Sequence, residues 1–362
     1  WKVKEPPKRP LAKETMQAGA EACPRAAAVL SWGYWGGLAG TYTGVKSSVR
    51  SVSLRALSPL VTAGVLVRVE EWEKGGGTTP PWFQERMAAW LLKPEGGGGV
   101  GRCIMHPKSS NDSVPPPPTF VLPSPAQVAR ALSTRREVWR ADARAHFFQV
   151  PLPHGLAGAF RLVVEEGEMV LTRLPMGARM SPVVGDAVSR WFADVGEDEQ
   201  WEGEVECYVY IDDFLFLTRS RWEAFASKVA RWGLELGVAE RCAERVVFIG
   251  VEADLPGGRF RAGEKVARKT AAALRAALEE GASLEEYESM VGRSLSFLER
   301  DGRALTTAAE LVRGLVRRSA QGGGKTELST AERAAAHEVK KLAESRRWRR
   351  WVRRSMRRRM RR

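Results

Sequence analysis

The chain of 362 residues contains only four cysteines and four histidines. The cysteines are scattered at Cys23, Cys103, Cys207 and Cys242, with no Cys-x-x-Cys pair and no histidine at ligand spacing. This excludes a disulfide scaffold and favours reduced thiols in the cytoplasm or nucleus. No apolar run approaches the roughly 20 residues of a membrane span, and no secretory signal is present. The start at Trp1 is typical of a fragment of a longer polyprotein.

Charge is distributed unevenly along the chain. The net charge is +14, and 11 arginines lie in residues 346–362, which leaves about +3 for the rest. A polyanionic partner is therefore expected, bound in the body of the protein by a local basic groove. In the tail, Trp348, Val352 and Met356 fall on one face of a predicted helix. That pattern suits a nucleic-acid or acidic-membrane surface, or else the stub of a following domain.

Two adjacent aspartates, Asp212 and Asp213, stand between the apolar segments 208–211 and 214–217. The flanks predict two strands of a tight hairpin with the carboxylates at its turn. Aspartate is an ordinary turn residue, so the pair also has a purely structural explanation. Like charges inside an apolar run are costly unless a cation is present, and this favours a chemical role.

A third carboxylate, Asp142, lies 70 positions before Asp212, at the end of a strand-like segment. Three carboxylates on neighbouring strand ends can hold two divalent cations roughly 4 Å apart, the arrangement used for in-line phosphoryl transfer. Magnesium fits best because it takes hard oxygen ligands and shares them with substrate phosphates. Manganese is the alternative.

Five segments, in order along the chain, resemble motifs of reverse transcriptases of the retrotransposon type. Residues 210–213 are similar to the Tyr-x-Asp-Asp box, and the segment around Asp142 is similar to the first catalytic motif of that family. The other three are 102–111 in the fingers, 174–182 between the two aspartate motifs, and the "primer grip" at 248–251. Together they cover roughly residues 90–300.

The resemblance assigns roles to individual residues. It implies that Asp142, Asp212 and Asp213 are catalytic and hold two Mg²⁺ ions, with Mn²⁺ as a substitute. It assigns substrate binding to Lys93, Arg102, Ala143, Phe147, Met176, Gly177, Tyr210 and Ile211. It makes Phe248, Ile249 and Gly250 the primer grip.

For two of these residues, Arg102 and Phe147, a purely structural role is the alternative. Arg102 would bind the triphosphate, since a guanidinium is permanently charged and can fork onto phosphate oxygens. Otherwise it is a solvated charge at a strand edge. Phe147 would be the steric gate that selects deoxynucleotides, or it would anchor the core, as is preferred for Phe148.

The implied fold is α+β, a right-hand polymerase with an antiparallel-sheet palm, fingers and a helical thumb. The expected domains are an N-terminal arm and unassigned segment (1–70), fingers (71–135), a palm with finger-like insertions (136–255), thumb and connection helices (256–320), and a linker, helix and Arg-rich tail (321–362). Local patterns predict helices at 82–90, 124–133, 183–195, 221–236, 264–280, 283–299 and 304–318. They also predict one strand at 248–252 and a mobile arm at 1–30.

The implied activity is RNA-directed DNA polymerase, with an RNA or DNA template, a primer and deoxynucleoside triphosphates as partners. A ribonuclease H domain would follow Arg362 in the full polyprotein, because no second acidic cluster is seen. One alternative is a decayed or domesticated protein that binds nucleic acid without synthesis, consistent with His106 and Arg241 where relatives carry aspartate and lysine. The other is an RNA-dependent RNA polymerase, which normally has a small or polar residue near the Phe147 position.

Overall fold

The computed structural model describes residues 6–7, 9–29, 53–78, 85–92, 102–107, 111, 116–196, 201, 205–321 and 325–350. Its strands are β1 (Leu66–Arg68), β2 (Glu85–Leu92), β3 (Arg102–His106), β4 (Val138–Ala143), β5 (Phe160–Val164), β6 (Gly167–Leu171), β7 (Cys207–Tyr210), β8 (Asp213–Phe216), β9 (Leu236–Cys242), β10 (Arg245–Phe248), β11 (Val251–Asp254), β12 (Arg259–Ala262) and β13 (Arg349–Arg350). They form three sheets that are mainly antiparallel.

The helices alternate with these strands along the chain. They are α1 (Lys13–Ala22), α2 (Pro24–Val29), α3 (Ser58–Thr62), α4 (Val69–Lys74), α5 (Pro125–Leu132), α6 (His154–Ala157), α7 (Ser181–Phe192), α8 (Arg219–Trp232), α9 (Glu264–Glu280), α10 (Leu284–Arg300), α11 (Ala309–Gln321) and α12 (Thr330–Ser345). Two 3-10 turns lie at His146–Gln149 and Leu305–Ala308. The mixture of helices and antiparallel sheets confirms the predicted α+β class.

The central sheet has the strand order β7-β8-β4-β9. On the face opposite Asp213, the buried rings of Phe214 and Phe216 each lie 4.7 Å from the ring of Phe225 on α8. The helix predicted at 221–236 is thus present as α8 with Phe225 in the core, but it ends at Trp232, and Leu236 already begins β9. Helix α7 contacts β7 and α8, while Asp142 and Asp213 lie on the face of the sheet opposite Phe214 and Phe216.

A second sheet has the order β1-β6-β5-β2-β3. The helix predicted over 82–90 is wrong, because residues 85–92 form β2, which pairs with β3 and, in parallel, with β5. Residues 87–92 are a continuous apolar run, and such a short run fits a strand covered on both faces as well as a helix. The pairing with β3 and β5 makes this run a strand.

The expected mobile arm over residues 1–30 is also wrong for residues 13–29. This segment forms α1 and α2, which pack on α7. Leu11 is buried and its N–H donates to the Gln149 carbonyl at 2.8 Å. Helix α7, against which α1 and α2 pack, is far away in sequence. The alanine-rich segment 13–29 therefore contains no local pattern that predicts this packing.

The third sheet has the order β10-β11-β12-β13. The single strand predicted over 248–252 is in fact two strands joined by a turn at Ile249 and Gly250, which have φ values of 41° and 80°. The helix expected around Trp348 is likewise wrong for the described residues, because Arg346 has a φ of 40° and ends α12. Arg349 and Arg350 then pair with β12, while residues 351–362 lie outside the described part.

Helices α9 to α12 pack together as a bundle, close to the predicted bounds. Ser283 and Ser329 each form a capping box, with Glu286 and Glu332 as the reciprocal partners, at the start of α10 and α12. The predicted helix at 304–318 begins as a 3-10 turn and continues as α11. In the described part of the chain, no helix has both the length and the apolar character to cross a bilayer.

Gly292 in α10 and Gly314 in α11 provide a matched test of this bundle. A methyl group at Gly292 meets nothing within 4 Å, so Gly292→Ala should stabilise the protein by about 0.5–1 kcal/mol through helix propensity. At Gly314 it would collide with the buried side chains of Glu332 and Tyr287, so Gly314→Ala should destabilise by about 1–3 kcal/mol. Urea unfolding measures both changes. Shifts of the same sign would contradict the described packing.

Candidate active site

The Asp212–Asp213 hairpin is as tight as the flanking strands predicted. Tyr210 pairs with Asp213 across β7 and β8, which leaves Ile211 and Asp212 as a two-residue turn. Ile211 has a φ of 59°, in the left-handed region that a β-branched residue rarely occupies. Strain of this kind costs about 1–3 kcal/mol and persists only where the surroundings enforce it.

Strand β4 brings Asp142 to the same hairpin. Asp142 pairs directly with Asp213, and the Ala143 N–H donates to the Asp212 carbonyl at 2.8 Å. Directly paired residues in an antiparallel sheet point to one face, with Cβ atoms about 4.5–5.5 Å apart. The first aspartate is therefore within side-chain reach of the hairpin tip.

A break in the β4–β9 register makes room for the Asp142 carboxylate. Asp142 faces Val238, the next residue Ala143 faces Leu236, and Gly237 is left in the resulting bulge. A methyl group at Gly237 would lie 2.6 Å from Asp142 Oδ2. The lack of a side chain at Gly237 leaves space for the carboxylate in this position, and bulges of this kind are common beside active sites.

A cavity of about 110 Å³ opens next to the aspartates. It is lined by Arg140, Ala141, Asp142, Asp213, Val238, Val247, Phe248 and Ile249. Arg300 of α10 donates to the Ile249 carbonyl at 2.7 Å and supports the turn between β10 and β11. The cavity therefore brings two predicted primer-grip residues beside two predicted catalytic residues.

The electrostatics of the hairpin are unusual. Burial raises the pKa of Asp213 to about 6, and the neighbouring carboxylates of Asp212 and Asp142 add to the rise. The positive charge of Arg140 opposes it. Arg140 is itself fixed by bonds to Glu240 Oε1 at 2.6 Å and to the Val247 carbonyl at 3.2 Å.

The carboxylates are hard oxygen donors of the kind that Mg²⁺ takes. Across the described ranges, no three His, Cys, Asp or Glu side chains converge closely enough to hold a metal ion by themselves. In proteins generally, Mg²⁺ is bound by one or two carboxylates together with waters and substrate phosphates rather than by a closed protein cage. Like charges placed opposite each other, with a raised pKa, are the arrangement that a cation would relieve.

The chain was compared with known proteins by sequence and by structure. No protein-family model matches the sequence, and no curated protein matches it significantly. Two similar solved structures are foamy viral protease-reverse transcriptases in complex with double-stranded DNA. The first has a TM-score of 0.60 and 14% sequence identity, and the match covers 88% of this chain and 53% of that one. The second has a TM-score of 0.56 and 15% identity, and the match covers 87% of this chain and 63% of that one. A third foamy viral protease-reverse transcriptase structure contains an RNA/DNA hybrid. It has a TM-score of 0.55 and 14% identity, and the match covers 93% of this chain and 45% of that one.

The chain has a reverse-transcriptase-like fold. At this identity the likeness concerns the fold alone. The chain spans between 45% and 63% of the length of those solved structures.

In this reverse-transcriptase-like fold, Phe147 lies in the 3-10 turn that follows β4. Its ring is half buried, and a methyl group at Gly185 of α7 would lie 2.7 Å from Phe147 Cε1. Next to it, the buried His146 is hydrogen-bonded through Nε2 to the Gly185 carbonyl at 2.9 Å, and burial lowers its pKa. Phe148 is buried in the core, as expected. The gate role of Phe147 stays a prediction.

Met176 and Gly177, which the resemblance assigns to substrate binding, lie in a turn that packs against β3. Gly177 has a φ of 93°, and a Cβ there would lie 2.5 Å from the Met105 carbonyl oxygen, so its close approach is to the protein backbone. The Asn111 side chain donates to the Gly177 carbonyl at 3.0 Å and accepts from the Arg179 N–H at 2.7 Å. Met176 is half buried against the core.

Some predicted substrate contacts lie elsewhere or outside the described residues. The Ala143 amide already donates to Asp212, so a substrate contact there would have to use other atoms. Tyr210 is partly exposed at the end of β7. Arg102 is the first residue of β3, but its side chain, like the whole of Lys93, lies outside the described part.

Sequence reasoning missed two residues that shape the cavity. Arg140 could have been found, because it stands two positions before Asp142 and therefore on the same face of a strand. Gly237 could not, because its importance depends on the bulge opposite Asp142.

The raised pKa of Asp213 makes stability depend on pH. Because its folded pKa is about 6 and its ordinary value is 3.8, the native state gains from protonation. The contribution of Asp213 to the stability is therefore fully present below about pH 4 and is lost as pH rises through about 6. In EDTA at pH 8, Asp213→Asn should stabilise the protein by about 1–2 kcal/mol, allowing for partial exposure.

Unfolding midpoints between pH 4 and 8 measure this effect. Near pH 4 the variant and wild type should differ little. Glu279→Gln, an exposed position on α9, serves as the control for a general loss of negative charge. An Asp213→Asn variant less stable than wild type at pH 8 would show that Asp213 is not strained by its neighbours.

Proposed function

We propose that this protein is an RNA-directed DNA polymerase of a retroelement, which joins deoxynucleotides to a primer 3′-hydroxyl on a template and releases pyrophosphate. The observation that carries the proposal is the pairing of Asp142 with Asp213, beside Asp212, at the cavity that Phe248 and Ile249 also line. The reverse-transcriptase-like fold supports it. Solved structures of similar fold hold double-stranded DNA or an RNA/DNA hybrid, which supports a nucleic-acid duplex as the partner.

The sheets suggest how the parts of a right-hand polymerase map onto the chain. The central sheet with α7 and α8 corresponds to the palm. Strands β5 and β6 lie within residues 136–255 but pair with β1 and β2, as finger-like insertions would. The bundle of α9 to α12 corresponds to the thumb.

The chain contributes position and charge to the reaction. Asp142 and Asp212 supply the carboxylates for two magnesium ions, and Asp213 strengthens the negative field around them. When bound, the ions would lower the pKa of the primer 3′-hydroxyl and neutralise charge on the triphosphate. The turn at Ile249 and Gly250 positions the primer terminus. Because the aspartates are fixed by strand pairing, little of their geometry has to form during the reaction.

A second candidate is a protein that binds nucleic acid without synthesis. Arg241, which stands where similar enzymes carry a lysine, donates to Glu137 Oε2 at 2.7 Å. A guanidinium is not a practical proton donor. Protonation of pyrophosphate therefore needs another source, and this observation favours the second candidate.

Primer extension on an RNA template with Mg²⁺ or Mn²⁺ separates the two candidates. The wild type should extend the primer, and Asp212→Asn should lower kcat by about 1,000-fold or more because a metal-binding carboxylate is lost. Glu279→Gln should extend as the wild type does. Duplex binding by a wild type that extends no primer on RNA or DNA would establish the second candidate instead.

A substitution of Phe147 tests whether the enzyme selects deoxynucleotides over ribonucleotides. If its ring excludes the 2′-hydroxyl, Phe147→Val should raise the relative kcat/KM for ribonucleotides by about 10–100-fold. Phe148→Leu, the adjacent buried position, should lower stability without changing this ratio. A wild type that prefers ribonucleotides would point to an RNA polymerase and would remove the gate role.

A further inference from the structure

The strained hairpin tip has one anchor on α7. The Ile211 N–H donates to Asp186 Oδ1 at 3.4 Å, and Asp186 is almost completely buried. The other oxygen, Asp186 Oδ2, accepts from Arg190 Nε at 2.6 Å, one helical turn further along. A buried carboxylate therefore links the backbone of the turn to a buried guanidinium.

Arg190 is held by several parts of the chain. It is 1% exposed, and it donates to the Gly196 carbonyl at 3.0 Å and also to the Val121 carbonyl. Its guanidinium carbon lies 4.6 Å from the centre of the Trp201 ring. Trp201 Nε1 donates to the same Val121 carbonyl at 2.9 Å. The ion pair is thus braced by the segment before α5 and the segment after α7.

The same network returns to the base of the hairpin. The Trp201 carbonyl accepts from Gln127 Nε2 of α5 at 2.7 Å, and its ring lies 5.6 Å from that of Tyr208 on β7. The Tyr208 hydroxyl donates to the Gln127 carbonyl at 3.4 Å. The hairpin is therefore fixed at its base through Tyr208 and at its tip through Ile211, with Arg190 and Trp201 between the two points.

Stability alone does not account for this ion pair. Replacing a buried ion pair by well-packed apolar residues is often neutral or stabilising, whereas removing one partner is strongly destabilising. An apolar pair at positions 186 and 190 could fill the volume, but it could not accept the Ile211 N–H. The geometric role is what the charged pair supplies and an apolar pair does not.

We propose that Asp186 and Arg190 are positioning residues, which hold Ile211 in its left-handed conformation and so keep Asp212 and Asp213 of the hairpin close to Asp142 on β4. This deepens the proposed function and rests on it for its catalytic consequence. Asp186 acts on the turn backbone, through its bond from the Ile211 N–H. Loss of the anchor would let the turn relax toward conformations that Ile prefers and would separate the aspartates.

The test compares a double variant with a matched control. Asp186→Leu with Arg190→Met removes both charges, and Glu168→Leu with Arg161→Met removes the ion pair between β5 and β6, which is 2.9 Å long and away from the hairpin. Thermal midpoints show whether each variant folds. Deuterium exchange of the 207–216 segment reports the turn, Mn²⁺ titration reports the aspartates, and primer extension reports kcat and KM.

The proposal predicts a folded Asp186→Leu/Arg190→Met protein with exchange in 207–216 at least about 10-fold faster and Mn²⁺ affinity at least about fivefold weaker. Its kcat should fall about 10–100-fold while KM for the primer–template changes less than twofold. The control should match wild type in all of these. If the double variant fails to fold, Asp186→Ala provides the same readouts, because it removes the acceptor of the Ile211 N–H while Arg190 keeps its bonds to the Gly196 and Val121 carbonyls.

Wild-type exchange and Mn²⁺ affinity in the folded double variant would overturn the proposal and make the pair purely structural. Faster exchange with unchanged Mn²⁺ affinity would also overturn it, because the aspartates would then not depend on the turn. Exchange and Mn²⁺ binding need no polymerase activity. If the wild type extends no primer, the proposed function fails while these two measurements still decide the role of Asp186 and Arg190.

Discussion

Asp142 and Asp213 carry like charges and stand directly opposite each other across β4 and β8. Such a pair weakens a sheet, and burial of Asp213 makes the repulsion harder to screen. Arg140 offsets part of it from the same face of the sheet. The arrangement costs stability, and the cation proposed above would relieve the repulsion between the carboxylates. The proposed metal site and the raised pKa have the same physical cause.

Unusual backbone conformations surround this repulsive pair. Gly237 lies in a bulge that admits the Asp142 carboxylate, Ile211 is left-handed at the hairpin tip, and Ile249 and Gly250 are left-handed in the neighbouring turn. Each is enforced by an ordered partner: a strand, the Asp186 carboxylate on α7, or Arg300 on α10. Unusual backbone conformations that lie around one pair of carboxylates and are imposed by rigid elements are typical of a functional site.

The sequence predicted features that depend on neighbouring residues. The aspartate hairpin and the helices predicted at 264–280 and 283–299 follow from local patterns, and the meeting of Asp142 with the hairpin followed from the ordered motifs. Features that depend on distant partners were missed. The turn at 249–250 relies on Arg300 some 50 residues later, and β2 was read as a helix because its sheet partners are remote in sequence.

The central claim is that the three aspartates form one electrostatic unit that is made to bind a cation. Titration of a ¹³C-labelled Asp213 carboxyl group by NMR, with EDTA and then with Mg²⁺, tests it most directly. The account predicts a pKa of about 6 in EDTA and a clearly lower pKa with Mg²⁺, because a bound cation favours the ionised form. An Asp213 that titrates at its ordinary value of 3.8 in both solutions would contradict it.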